Sequence, residues 1–142
     1  MIYMTERVFF DTNVLVYAYD THESAKQKIA KNLILENIRN DYGWLSLQVF
    51  GEFFNVVTKQ IPNPLSSEEA REAIDHLSLL NIADMDMKLV SRAIDAHQKY
   101  QTSYWDSLII ASAEATRCST LLSEDFNTTQ EYFGMIALNP FK

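Results

Sequence analysis

Four acidic residues stand apart from the other charges of this chain by their surroundings. Asp11 ends the apolar run Val8-Phe9-Phe10, which is too short for a helix and the right length for a buried strand. Asp125 closes a second β-branched and apolar run, residues 119–123, after Ser123 and Glu124. Glu52 is the sole acid in the strongly apolar stretch 47–58, and Asp106 lies at the start of another, 102–117. Two carboxylates about 4 Å apart repel by roughly 4 kcal/mol at an effective dielectric near 20. If these four converge they must protonate, separate or bind a cation. Carboxylate oxygens and water suit Mg²⁺ or Mn²⁺. A cation so held bridges to a phosphate oxygen and lowers the pKa of bound water, which is the machinery of phosphodiester hydrolysis. One ion or two would serve.

Each acid also has a structural reading. Asp11 can cap the helix that follows it. Glu52, in a row with Val49 and Val56, can be satisfied by a salt bridge or a rim position facing water. Ser103 and Asp106 have capping-box spacing, and a carboxylate in a first turn is favoured by the helix dipole. Other chemistries find less support. The chain has no GxxxxGK[ST], GxGxxG or GxSxG segment. His22, His76 and His97 stand in polar or helix-surface contexts, where surface roles are expected. The single Cys118 excludes an internal disulfide framework and a thiolate zinc cluster, leaving small apolar filler as its expected role.

The elements that must position these acids alternate between strand and helix. Strands are expected at 8–10, 44–46, 81–83, 119–123 and 135–138, and helices at 14–19, 25–39, 47–58, 66–77, 85–100 and 102–117. In the second helix Ile29, Leu33 and Ile38 are expected inward, with Lys26, Lys28 and Lys31 on a solvated face. Ser66 and Glu69 have capping-box spacing, Asp84 is read as the cap of the fifth helix, and Leu89, Val90, Ala93 and Ile94 as its buried face. Tyr104 and Trp105 count among the apolar residues of the last helix. Such alternation implies a mainly parallel sheet covered by helices on both faces, an α/β/α sandwich, with ligands at the carboxyl ends of the strands.

The bounds are those of one domain, residues 1–142. With 47% hydrophobic residues a folded chain is expected, and the net charge of −7 argues against a broad nucleic-acid-binding surface, though not against a local groove or contact through cations. No apolar run approaches a membrane span, and the first ten residues lack a signal-peptide layout, so a cytoplasmic location is expected.

The segments FFDTNVLVYAYD, QVFGEFFNVV, YWDSLIIASA and LLSEDF, in this order, resemble a PIN domain, and more narrowly the VapC toxins of bacterial toxin–antitoxin pairs. The resemblance spans essentially the whole chain. It implies a metal-dependent ribonuclease, usually dimeric, with an α/β/α sandwich. By position it makes Asp11, Glu52, Asp106 and Asp125 the metal ligands. Asn13 becomes the residue that orients the first ligand, and Ser123 a hydroxyl near metal and scissile phosphate. Where some relatives carry a further acid after the fourth, this chain has Asn127. Glu124, beside Asp125, is expected to point away. The resemblance further implies an RNA substrate and a small VapB-like antitoxin that blocks the groove and supplies the contact to operator DNA. A PIN-like module that holds RNA or protein without cutting is the alternative; a metal phosphatase or DNA nuclease is a third.

Overall fold

The computed structural model describes residues 6–142. The expected lack of a leader concerns in part residues 1–5, which lie outside the described residues. The chain runs β1 (Val8–Phe10), α1 (Thr12–Tyr17), α2 (Ser24–Arg39), β2 (Gly43–Ser46), α3 (Leu47–Lys59), α4 (Ser67–Leu77), β3 (Asn81–Ala83), α5 (Met87–Tyr100), α6 (Tyr104–Ala115), β4 (Thr120–Leu122), β5 (Glu131–Tyr132) and β6 (Met135–Leu138). The six strands form one sheet in the order β3-β2-β1-β4-β6-β5, parallel throughout except for β5 against β6. Helices flank it: α1 packs against α2 and α3, α3 against α4, and α5 against α6, which itself contacts β2. This is the expected α/β sandwich with a short, mainly parallel sheet.

The topology decides where chemistry can occur. From β1 the chain builds outward through β2 to β3, then crosses back to place β4 on the other side of β1. The order reverses between β1 and β4, and in open parallel sheets the crevice outside that reversal receives ligands. Register places Phe10 opposite Leu122, so the residues just beyond them, Asp11 and Ser123, emerge side by side.

Burial explains why the strands lie there. Phe9, Phe10, Leu45 and Leu121 are wholly enclosed, with Val14, Leu15, Val49, Phe53 and Ile110 packed around them in one core. Gly43 in β2 is required by crowding. A Cβ at this position would lie 2.5 Å from Leu80 Cδ2, 2.9 Å from Asn37 Cβ and 3.2 Å from Phe10 Cε2. Gly43→Ala is therefore expected to destabilise the fold by about 1–3 kcal/mol, the usual range for overpacking. Urea unfolding checks this, and an unchanged midpoint would show that the core yields at that point.

Several local expectations are corrected. In α2 Leu33 and Ile38 pack against the core as expected, beside the buried Ala30, Ile34 and Asn37, but Ile29, one residue and so about 100° around the helix from Ala30, is exposed. Lys26 does not join a solvated face; it is half-buried in an ion pair with Glu124. Asp86, not Asp84, caps α5, because its carboxylate accepts from Leu89 N–H at 2.9 Å and the helix begins two residues later than expected. The third buried position of α5 is Ala96, and Ile94 is exposed. The short strand β5 was not expected. It folds back on β6 through a turn at Phe133-Gly134, where both residues have positive φ (49° and 85°), as a tight hairpin turn of this hand requires. The Ser66–Glu69 capping box forms with both bonds, and Cys118 is buried, its thiol pushed up to about 11 by burial.

Candidate functional site

Asp11 is both cap and cluster member. It is the N-cap of α1, accepting from Thr12 N–H at 2.8 Å, so the capping reading holds. Its other oxygen accepts from the Ser123 hydroxyl at 2.7 Å and from Asn13 Nδ2 at 3.3 Å. Its backbone N–H extends the ladder to Leu122 carbonyl at 3.0 Å, which holds the end of β1 against the end of β4. Ser123, wholly buried, also accepts from Asp125 N–H at 3.0 Å and so sets the turn that carries that acid.

Asn13 joins the two strand ends. Its Nδ2 faces Asp125 Oδ2 at 3.0 Å and the Ser123 hydroxyl at 3.3 Å, besides Asp11, while its Oδ1 accepts from Glu124 N–H at 3.1 Å. Two amide hydrogens are thus shared among three acceptors. Glu124 turns away, as its place in the chain suggested. Its carboxylate takes Lys26 Nζ at 2.6 Å and the Tyr17 hydroxyl at 2.7 Å, and although burial pushes it up, these two bonds hold it below the usual range.

Glu52 arrives from α3. Thr12 Oγ1 donates to its Oε2 at 3.0 Å and Gln48 Nε2 to its Oε1 at 2.6 Å. Asp106 stands in the first turn of α6, its N–H capped by the Ser103 hydroxyl at 3.1 Å. Trp105 beside it is 63% exposed, which corrects its reading as core; it stands edge-on to Tyr104 at the surface instead.

The acids feel one another. Asp11 is only 6% exposed, and burial, aided by the nearby charges of Glu52 and Asp106, raises its carboxyl to about 6 against the hydrogen bonds of Ser123 and Thr12. Asp106 is also raised, first by loss of hydration and then by Asp125 and Glu52, with the Ser103 bond opposing. A groove of about 320 Å³ runs past Glu52 and Asp125 and is lined by Thr12, Asn13, Val16, Tyr17, Asp20 and Val56. A larger concavity, about 540 Å³, lies around Glu36, Asn37 and Thr120 and is lined by none of these four acids, so it is their mutual electrostatics and not volume that marks the candidate site. None of the three histidines lines the groove.

This donor set fits a hard divalent cation by chemistry, being all carboxylate and mutually unfavourable when ionised. Among the described residues, however, no three His, Cys, Asp or Glu side chains are gathered tightly enough to form a ready-made cation cage. The oxygens of Asp11 and Glu52 are turned instead to Ser123, Thr12, Asn13 and Gln48. The contributions of Thr12, Gln48, Tyr17 and Lys26 were not anticipated. Gln48, four residues before Glu52 on one helix, was legible by spacing; Lys26, 98 residues from Glu124, was not.

The family model for the PIN domain matches residues 8–130. No curated protein is significantly similar in sequence. Among solved structures, a toxin–antitoxin complex from Klebsiella pneumoniae superposes with a TM-score of 0.69 at 19% identity, over 94% of this chain and 97% of the other. VapBC2 from Rickettsia felis, bound to a DNA fragment from its promoter, gives 0.66 at 21% identity, over 92% and 96%. VapC20 from Mycobacterium tuberculosis, a Sarcin-Ricin loop cleaving toxin, gives 0.63 at 15% identity, over 80% and 86%. At these identities the likeness is one of fold.

Proposed function

The chain belongs to the PIN domain family, and from that premise we propose that it is a divalent-metal-dependent endoribonuclease, the toxin of a toxin–antitoxin pair. The observation that carries this reading is that Asn13 and Ser123 link Asp11 to Asp125 at the β1–β4 reversal, with Glu52 and Asp106 near enough to help burial push the Asp11 carboxyl up to about 6. Asp11, Glu52, Asp106 and Asp125 would hold Mg²⁺ or Mn²⁺. Such an ion, when bound, stabilises charge on a phosphate and supplies a nucleophilic water at neutral pH. The chain's own part is to orient. Asn13 and Ser123 fix Asp11 relative to Asp125, and groups of this kind set ligand geometry. Tyr17 and Lys26 keep Glu124 from crowding the cluster with a fifth charge.

The partners follow from the same reading. RNA is the substrate, a VapB-like antitoxin the protein partner, and a homodimer the working form. The K. pneumoniae and R. felis neighbours are toxin–antitoxin assemblies of the same fold, which supports the antitoxin. A chain of net charge −7 is suited to leaving operator DNA to its partner's own domain. A cytoplasmic location accords with this, and no helix among the described residues is long and apolar enough to cross a membrane.

The test is cleavage of RNA by the purified protein with Mn²⁺, with chelator, and with Mn²⁺ restored. Cleavage is expected in the first and third conditions and not in the second. RNA binding without cleavage, together with no Mn²⁺ binding by calorimetry, would establish the non-catalytic module instead, a reading favoured by the absence of a ready-made cage among the described residues.

A further inference from the structure

Asp11 and Asp125 are set by strand register and by Asn13 and Ser123, but Glu52 and Asp106 ride on separate helices. Gln48 bridges those helices. Its Nε2 donates to Glu52 Oε1 at 2.6 Å and to the carbonyl oxygen of Trp105 at 3.1 Å. Trp105 immediately precedes Asp106, so one amide ties the acid of α3 to the first turn of α6. Thr12 holds the other oxygen of Glu52 from the α1 side. The amide makes both bonds at its own expense, since Gln48 Oε1 is enclosed and has no hydrogen-bond partner. Turning the group over would set that oxygen against the carboxylate, so the charge of Glu52 dictates the orientation. An enclosed acceptor left without a partner is uncommon in folded proteins and asks for a reason beyond stability.

We propose that Gln48 is a positioning residue that locks Glu52 in register with Asp106, so that acids from two helices address one divalent ion. This rests on the nuclease reading and adds a group outside the acid set. Its own role is not ligation but holding: it removes the freedom of Glu52 to swing and the freedom of α6 to slide past α3.

Three variants test it, with Mn²⁺ affinity by calorimetry, melting in chelator, and kcat and KM on RNA as readouts. Gln48→Met keeps length and removes the amide. It is expected to weaken Mn²⁺ binding about 10–100-fold, the usual effect of losing a group that orients a ligand, and to lower kcat with little change in KM. Its melting temperature in chelator should be unchanged or higher, because the enclosed oxygen is gone. Gln48→Asn keeps the amide but is too short to span both partners, so it should behave like Gln48→Met; should Gln48→Met fail to fold, it carries the test alone. Gln48→Glu sets a like charge against Glu52, so its melting temperature in chelator should be the lowest of the three, and saturating Mn²⁺ should recover most of the difference. If wild type binds Mn²⁺ and cleaves RNA while Gln48→Met and Gln48→Asn bind Mn²⁺ within twofold of it, the positioning role is overturned and the nuclease stands. If wild type neither binds Mn²⁺ nor cleaves RNA, both fall.

Discussion

Asp11→Asn is expected to abolish Mn²⁺-dependent RNA cleavage while leaving the cation-free fold at least as stable as wild type. Asp11 is buried, bonded to Ser123 and Thr12, and within the fields of Glu52 and Asp106. Asparagine keeps the shape and one acceptor, so the cap of α1 survives, but it contributes no charge to hold a divalent ion. Disturbing groups that merely orient a ligand costs about 10–100-fold, and removing the central ligand should exceed that, a loss of more than about a hundredfold in kcat/KM. Single-turnover cleavage with excess protein measures it, with circular dichroism confirming the fold. A variant that cuts RNA within tenfold of wild type would remove Asp11 from the site and leave the proposed chemistry without its centre.

In chelator, wild type should lose stability as pH rises from about 4 to about 6, and Asp11→Asn should not show that loss. The carboxyl of Asp11 goes from its ordinary 3.8 in the unfolded chain to about 6 in the fold, chiefly because burial strips it of water. Below 3.8 both states carry the proton and the group has no effect. Between 3.8 and 6 the unfolded chain has released its proton while the folded one retains it, so the unfolded state binds fewer protons and stability falls with rising pH. Above about 6 the loss is complete, at roughly 3 kcal/mol for one buried group. Urea unfolding at pH 4 and pH 7, with the difference between wild type and Asp11→Asn taken at each, isolates this group from other titrating acids. Saturating Mn²⁺ should restore most of the loss, since an ion bound only by the folded state stabilises it. Parallel pH curves for the two proteins would show that Asp11 is not strained by its site.

The two expectations share a cause, and it explains how far the site could be read in advance. An apolar run broken by an acid is visible in the chain, and Val8-Phe9-Phe10 before Asp11 is such a run. The distance from Asp11 to Glu52 is not visible, because it depends on α1 packing against α3. Trp105 shows the limit from the other side. Its apolar neighbours suggested core, yet it opens α6 where the helix meets solvent, and Asp106 shares that first turn.

By itself, the sequence determined the helices and every strand but the short β5 to within a few residues, the Ser66–Glu69 box, and which four acids stand apart from the other charges by their surroundings. These are local properties: side-chain volume, periodicity and backbone capping act over a few residues, so neighbours in the chain suffice to reveal them. Only the tertiary structure decided that β4 lies beside β1, that Lys26 draws Glu124 aside, and that Gln48 joins Glu52 to the first turn of α6. Hydrogen bonds depend on tenths of an ångström and on helix rotation. Those quantities are fixed when distant elements pack together, and an apolar pattern specifies a face without specifying either.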